Sequence, residues 1–278
     1  MRWKKLGLIA GGGALPARVA AACRARGDDF HIIRIKGSAD DHLAGLPGDE
    51  CGVGEAGKIL RILKENSCDA VVFAGVVRRP DFKTLKADWR GAALLPKVIS
   101  AAARGDGALL SVLVDTVESE GMFVIGAEEA TQDIAAPAGA LGAHAPDEAA
   151  FADLRKAAAV IQALGPFDVG QGAVVANGLV LAIEAAEGTD AMLDRCAQLA
   201  GEERCGVLVK RPKPGQELRI DLPVIGPETV RRAGAAGLAG IAVEAGVALV
   251  IDREEVVKSA DGAGLFVYGF SAEEARPS

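Results

Sequence analysis

The order of predicted strands and helices in the first half of the chain constrains the fold most strongly, because the two kinds of element alternate. Residues 5–10 predict a buried strand, and the Ala-rich stretch 16–26 predicts a helix with Pro16 in its first turn. Hydrophobic spacing continues the pattern with strands at 30–35, 68–77 and 122–127 and helices at 55–66, 92–103 and 109–120. This order predicts a doubly wound parallel sheet of the Rossmann-like kind.

The rest of the chain predicts a second α/β unit, since 278 residues fit two domains of ordinary size. A segment rich in Ala, Gly and Pro at 133–146 is typical of a linker. A helix at 147–164 then precedes a hairpin with its turn at Asn177-Gly178. We therefore expect an N-terminal Rossmann-like domain at 1–132 and a C-terminal α/β domain with a mixed sheet at 147–278.

Composition excludes several classes of protein. The formal net charge of −7 disfavours a nucleic-acid-binding protein, which needs a broad basic face. The five cysteines form no CxxC pair, so neither a disulfide framework nor a zinc ribbon is predicted. The sequence also lacks histidines at metal-ligand spacing, a G-x-S-x-G motif and a Walker A motif. Zinc enzymes, serine-triad hydrolases and ATPases are therefore disfavoured. No apolar run reaches 18 residues and no signal peptide is recognisable, so we expect a cytosolic protein.

Three glycines, Gly11, Gly12 and Gly13, follow the first strand where it turns into the first helix. Glycine allows the backbone to approach a phosphate closely at such a turn. A dinucleotide fingerprint would have its third glycine where Pro16 stands, and the second strand ends without the acidic residue that binds a ribose, which disfavours a nicotinamide cofactor. Both ligand contact and simple strand-to-helix packing remain open for this turn.

Two arginines, Arg78 and Arg79, follow the strand predicted at 68–77. In a parallel sheet they fall at the same edge as the glycine turn, where guanidinium groups suit a diphosphate. A solvated surface turn explains them equally well.

Carboxylates gather around a second strand-to-helix junction, at Glu184, Glu187 and Asp190, with Thr189 as a helix cap. Oxygen ligands of this kind suit Mg²⁺ or Mn²⁺. The alternative is that Asp190 complements a helix dipole and Glu184 is solvated.

The stretch 207–230 is the densest polar segment of the chain. Lys210 and Arg211 are candidates to neutralise phosphate charge, and Asp221 precedes a rigid Leu222-Pro223 corner that can aim its carboxylate. The competing interpretation is an ordinary basic loop in which Asp221 accepts a hydrogen bond within a local turn.

Taken together, these motifs resemble the UDP-2,3-diacylglucosamine pyrophosphatases of the LpxI type, over nearly the whole chain. The segments that carry the resemblance are LGLIAGGGALP, GVVRRPDF, GDGALLSVLVDTVESEG, FDVGQGAVVANGLVLAIEAAEGTDAML, VLVKRPKPGQELRIDLPVIGPETV and AGLAGIAVEAG. One departure is Gly107, where the family pattern has an acidic residue, and this weakens a metal-binding role for the neighbouring Asp106.

The resemblance implies a Mg²⁺- or Mn²⁺-dependent hydrolase of lipid A biosynthesis. Such an enzyme cleaves the diphosphate of UDP-2,3-diacylglucosamine to 2,3-diacylglucosamine 1-phosphate (lipid X) and UMP. It also implies two domains that hold the lipid between them, a homodimer, and peripheral contact with the inner membrane. The rival interpretations are a Rossmann-type oxidoreductase and a non-catalytic carrier of nucleotide sugar or lipid.

The candidate site residues fall into three groups. The resemblance marks Asp221 as essential for catalysis, and Lys210 and Arg211 are expected to assist it. The expected metal ligands are Asp221, Glu184, Glu187 and Asp190. The expected substrate-binding residues are Gly11, Gly12, Gly13, Leu15, Pro16, Gly75, Val76, Arg78, Arg79, Gln171, Gly172 and Thr189.

Overall fold

The computed structural model describes residues 3–78, 80–82, 84–199 and 204–276. The chain divides into two compact units. The first comprises the chain through Gln132 together with Arg219–Asp221, and the second comprises Asp133–Leu218 and the chain from Leu222 onward.

The first unit alternates strands and helices as the sequence predicts. Its elements are β1 (Leu6–Ala10), α1 (Ala14–Arg26), β2 (Phe30–Ile35), β3 (Gly48–Cys51), α2 (Ala56–Glu65), β4 (Ala70–Ala74), α3 (Trp89–Ala102), α4 (Asp106–Glu118), β5 (Phe123–Ile125) and α5 (Ala127–Thr131). The strands form one parallel sheet in the order β3-β2-β1-β4-β5. This confirms the predicted doubly wound sheet.

The strand order reverses direction between β1 and β4, which creates a crevice at the carboxyl ends of these two strands. Both strands are continuous apolar runs, fully buried in β1 and buried except at Phe73 in β4, as in a strand covered on both faces. Gly11 directly follows β1, and Gly75 directly follows β4. The fold therefore brings the two glycine turns to one place on the sheet edge.

One carboxylate fixes the starts of two helices. Asp88 Oδ1 accepts from the Gly91 N–H in the first turn of α3 (2.7 Å), and Asp88 Oδ2 accepts from the Lys58 N–H in the first turn of α2 (2.8 Å). Partial burial raises the pKa of Asp88, but the backbone N–H donors outweigh that effect and lower it below its ordinary value. This cap explains why α3 begins three residues before the predicted position.

The second unit contains a mixed sheet, also as predicted. Its elements are β6 (Gly139–Ala140), α6 (Glu148–Leu164), β7 (Gly172–Ala176), β8 (Leu179–Ile183), α7 (Gly188–Ala197), β9 (Val207–Lys210), β10 (Val224–Ile225), α8 (Pro227–Ala235), β11 (Gly240–Glu244), β12 (Leu249–Val250), α9 (Arg253–Ala263) and β13 (Phe266–Phe270). The main sheet has the order β6-β13-β11-β9-β7-β8, with β9, β11 and β13 parallel and the other pairings antiparallel. Strands β10 and β12 form a separate parallel pair.

The predicted hairpin turn is present between β7 and β8. Asn177 and Gly178 have φ values of 51° and 75°, as a tight two-residue turn requires. The buried Asp153 of α6 accepts from both of their N–H groups, at 2.9 and 2.7 Å. A carboxylate thus holds this turn against the helix.

The segment 133–146, interpreted from sequence as a linker, belongs to the second unit. It contributes β6, which pairs with β13, and Ala135 bridges to Leu249. Its Gly and Pro content reflects sharp changes of direction, such as Gly139 at φ 89°, rather than separation from the folded core.

All five cysteines are free thiols, and four of them are buried, while Cys205 is partly exposed. Burial raises the pKa of Cys23 and Cys68 to about 11. In the described part of the chain, no helix has the length and apolar character needed to cross a membrane.

Candidate functional site

The two glycine turns at the switch point are joined by backbone hydrogen bonds. The Gly11 N–H donates to Ala74 O (2.8 Å), and Gly12 and Val76 exchange two hydrogen bonds of 2.9 Å. The Gly13 N–H donates to Asp40 Oδ2 at 2.7 Å. The amides of all three glycines therefore already have protein acceptors, and a carboxylate stands at the start of α1.

Close packing requires glycine at Gly11 and Gly75 in these turns. A Cβ at Gly11 would lie 2.5 Å from the Val76 carbonyl oxygen. Gly75 has φ 84°, and a Cβ there would lie 2.5 Å from Gly12 O and 2.8 Å from the ring of the buried Pro16. Packing thus accounts for these residues, whereas phosphate binding by the turn stays a prediction.

The remaining predicted residues at this edge are more open. Leu15 is half-buried in the first turn of α1, and Val76 and Arg78 are exposed. Arg79 lies outside the described residues. Arg78 follows the carboxyl end of β4 by four residues, and its role in binding a diphosphate stays a prediction.

An apolar cavity of about 240 Å³ lies in the first unit, beside the carboxyl ends of β1, β2 and β4. The side chains of Ile9, Ile35 and Phe73 line it from the sheet, and residues of α2, α3 and α4 line it from the helices. Thr116 also lines the cavity, but its hydroxyl donates to Val112 O at 2.6 Å within α4. The cavity wall therefore offers no hydroxyl donor from Thr116 to a ligand.

The segment that carries Asp221 packs into the first unit beside this cavity. Ile220 lines the cavity, and Asp221 is the next residue along the chain. The Arg219 guanidinium donates to Glu118 Oε1 at the end of α4, at 2.7 Å. Asp221 is therefore held within one residue of an apolar wall.

In the second unit, three predicted residues form a buried polar chain. Lys210 Nζ donates to Thr189 Oγ1 (2.6 Å), and Thr189 Oγ1 donates to Glu184 Oε1 (2.8 Å). Lys210 is 4% exposed and Glu184 is 7% exposed. The Lys210 Nζ atom lies 3.9 Å from Glu184 Oε2, which is buried and accepts no hydrogen bond from the described residues.

The predicted substrate-binding residues Gln171 and Gly172 adjoin this chain. A Cβ at Gly172 would lie 2.6 Å from Glu184 Oε2, so glycine makes room for the carboxylate. The Gln171 amide oxygen accepts from Gln216 Nε2 at 3.0 Å. Arg211 Nε lies 3.0 Å from Glu244 Oε2, but the pair lacks hydrogen-bond geometry.

The carboxylates predicted as metal ligands do not gather into one ligand set. Glu187 pairs with Arg195, and hydrogen bonding by its own backbone N–H and by Arg195 lowers its pKa. Asp190 is exposed and lies 3.6 Å from Arg232, while Glu184 is buried with Thr189. No group of three or more His, Cys, Asp or Glu side chains able to hold a metal forms among the described residues. The donor set of Glu184, Glu187 and Asp190 therefore does not fit a shared ion.

Sequence reasoning missed two features of this region. The first is Asp40, whose position against Gly13 depends on the turn that follows β2. The second is the apolar cavity. Its one signal in the sequence is the unusual apolar content of α3 and α4, whose stretches AALLP and ALLSVLV are richer in leucine than surface helices need.

The fold and these sites define a two-unit α/β protein with an apolar cavity beside one sheet edge and buried charges in the other unit. Comparison with known families identifies it further. The LpxI N-terminal domain family matches residues 5–134 and the LpxI C-terminal domain family matches residues 137–268. The chain belongs to the LpxI family, as its sequence motifs predict.

A curated relative supports the same assignment. The UDP-2,3-diacylglucosamine pyrophosphatase LpxI of Caulobacter vibrioides is 50% identical over 277 residues, which cover 98% of this chain and 99% of the relative. Among solved structures, the Bordetella bronchiseptica enzyme WbmG in complex with NAD and UDP aligns over 98% of this chain and 99% of its own. With 12% identity and a TM-score of 0.31, that alignment carries no functional argument.

Proposed function

We propose that this chain hydrolyses the diphosphate of UDP-2,3-diacylglucosamine to lipid X and UMP, a step of lipid A biosynthesis. The observation that carries the proposal is the relation to the Caulobacter enzyme, at 50% identity over nearly the full length of both chains. Identity at this level over the full length of both chains supports the same reaction for this chain.

The apolar cavity supports a lipid-bearing substrate. Its wall is mainly aliphatic, with Phe73 as its aromatic side chain, and burial of an acyl chain against such a wall is favourable by about 25 cal/mol for each Å² removed from water. Because Ile220 forms part of the wall, an acyl chain bound there lies beside the Asp221 segment.

Asp221 is proposed as the general base of the reaction. A water oxygen attacks one phosphorus, the bridging P–O bond breaks, and the carboxylate takes the proton of the attacking water. Lys210 and Arg211 are proposed to offset the negative charge that develops on the phosphoryl oxygens. Mg²⁺ or Mn²⁺ dependence is proposed from the family resemblance, and no step is assigned to an ion because the predicted carboxylates do not share one site.

The test uses purified protein and UDP-2,3-diacylglucosamine dispersed in detergent, with Mg²⁺, with Mn²⁺ or with EDTA. Mass spectrometry follows UMP and lipid X, and ¹⁸O-labelled water reports which phosphorus is attacked. We expect both products in equal amounts, and a dependence on added metal. Intact substrate under every metal condition would favour a non-catalytic carrier.

Asp221→Asn removes the proton acceptor with little change of shape, so it should lower kcat by at least about 100-fold. The matched control is Asp115→Asn, because Asp115 is an exposed carboxylate on α4 whose side chain is 65% accessible. Retained turnover in Asp221→Asn would remove this residue from the mechanism.

We also propose a homodimer and peripheral contact with the inner membrane, as the resemblance implies. Sedimentation equilibrium tests the first, and a monomer at all concentrations would exclude it. Binding to anionic vesicles tests the second.

A further inference from the structure

The first two turns of α3 carry an exposed apolar stripe that ends at the exposed Lys97, which is unusual for a helix at a protein surface. Trp89, Ala92, Ala93 and Pro96 follow helical spacing and are all exposed, and Trp89 is 80% exposed. Surface helices normally present polar residues to water. We call these four residues the outward stripe of α3.

Helix α3 connects the outward stripe with the apolar cavity. The first turn of α3 packs on the turn before α2, since a Cβ at Gly91 would lie 2.0 Å from Gly54 O and the Asp88 N–H donates to Gly54 O at 3.3 Å. Val53, the neighbour of Gly54, lines the cavity and is 40% exposed. Leu94 of α3 lines it as well. The stripe and the cavity-lining Leu94 thus belong to one helix, and Val53 and Val77, each 40% exposed, present apolar surface at the cavity itself.

Positive charge accompanies this apolar surface. Among the described residues of the segment 75–90, which leads from β4 into α3, are the cations Arg78, Lys86 and Arg90, the last of which pairs with Glu120. Of these cations, Arg78 and Lys86 are exposed. Exposed tryptophan and aliphatic side chains flanked by Lys and Arg are typical of surfaces that bind anionic bilayers.

We propose that the outward stripe of α3, together with Arg78 and Lys86, docks onto an anionic lipid bilayer, with the Trp89 ring at the level of the headgroups. This inference rests on the proposed function, because a diacylated substrate resides in a membrane. Docking by this surface sets the cavity mouth against the bilayer. An acyl chain then passes from lipid to cavity without exposure to water, which lowers the cost of extraction.

The test measures binding to vesicles of 30% phosphatidylglycerol in phosphatidylcholine by co-sedimentation. Trp89→Ala should weaken binding about tenfold, since it removes a large interfacial side chain. Lys86→Glu should weaken it severalfold, and high salt should reduce the difference between Lys86→Glu and the parent protein. The matched control is Phe123→Ala. Phe123 is 66% exposed in the same unit but pairs with Ala70, the first residue of β4, and so lies at the amino ends of the strands.

A spectroscopic readout locates the surface directly. The chain has two tryptophans, so Trp3→Phe leaves Trp89 as the single reporter. Its emission should shift to the blue on addition of anionic vesicles and remain unchanged with pure phosphatidylcholine. An unshifted emission, or equal vesicle binding by Trp89→Ala and Phe123→Ala, would overturn the proposal. A dimer that Trp89→Ala dissociates, without vesicle binding by the parent protein, would reassign the surface to self-association.

Failure of this inference is separable from failure of the proposed function. Trp89→Ala should hydrolyse detergent-dispersed substrate at the parent rate but vesicle-embedded substrate about tenfold more slowly. If Trp89→Ala hydrolyses detergent-dispersed and vesicle-embedded substrate equally well relative to the parent protein, only the docking surface is contradicted. If the parent protein does not hydrolyse the substrate in detergent, the proposed reaction is contradicted, whatever the vesicles show.

Discussion

The candidate sites of the two units differ in what they offer a ligand. The first unit provides apolar space, and the glycine amides beside that space already have protein acceptors. The second provides buried charge in Lys210 and Glu184, linked through a hydroxyl. Buried charge needs polar partners, whereas an acyl chain needs their absence. A single cavity cannot be both polar enough for buried charge and apolar enough for an acyl chain. In this chain the two environments lie in separate units.

The largest effect that tests this contrast is expected from Lys210→Met. Removal of the buried ammonium leaves the Glu184 carboxylate uncompensated, so the free energy of unfolding should fall by about 3 kcal/mol. Urea denaturation followed by circular dichroism measures the change. The matched control is Lys97→Met, because Lys97 lies 3.8 Å from Asp115, close to the 3.9 Å of the buried pair, but both partners are mainly exposed.

The control should cost less than about 1 kcal/mol, as exposed ion pairs do. A second variant that combines Lys210→Met with Glu184→Gln should recover part of the loss, since no carboxylate is then left unpaired. An equal loss of unfolding free energy for Lys210→Met and Lys97→Met would mean that burial does not strengthen the dependence of Glu184 on Lys210.

A smaller effect is expected from Asp88→Ala in the first unit. The variant removes caps from both α2 and α3, at about 1 kcal/mol each. The pKa of Asp88 is lower in the folded state, so its contribution is present above the unfolded pKa near 4 and is lost as the pH falls through the lower folded value. The difference from the parent protein should therefore shrink below pH 4.

Urea denaturation at pH 7 and at pH 3 measures the loss of unfolding free energy and its dependence on pH. Asp147→Ala is the comparison variant, because Asp147 caps α6 alone through the Ala150 N–H. It should cost about half as much as Asp88→Ala. A cost of Asp88→Ala that grows in acid would show that the carboxylate acts by some means other than these two caps.

The smallest effect concerns the cavity itself. Ala56 lines it from α2, and Ala56→Phe should raise KM about tenfold for long acyl chains, which equals about 1.4 kcal/mol. Kinetics with a series of acyl lengths, together with thermal unfolding as a check on folding, measures this. Equal KM changes for short and long chains would mean that the cavity holds another part of the substrate.

Much of the fold follows from local patterns in the sequence. Buried apolar runs identified β1, β2 and β4, and the Asn177-Gly178 pair identified the hairpin. The strand β3 was missed because its sequence GDEC is polar, and its conformation comes from parallel pairing with β2. The start of α3 was missed because Asp88 was not recognised as a cap.

The sites were less predictable for a physical reason. Sequence placed the glycine turns at the correct sheet edge, but the need for glycine at Gly11 comes from a carbonyl oxygen beyond the end of β4. The cavity is a gap between elements that pack in three dimensions, so the apolar content of α3 and α4 indicates apolar surface there but does not locate the cavity. Its wall includes Ile220, which lies far along the chain from the rest of its unit.

Because residues 219–221 belong to the first unit, no single cut in the gene separates the two units. A fragment that stops at Gln132 keeps the whole parallel sheet but lacks Ile220 and Asp221. Its cavity would be open on one side, with aliphatic side chains newly exposed to water. The two halves of this polypeptide are therefore not modules that recombination can exchange at a single junction.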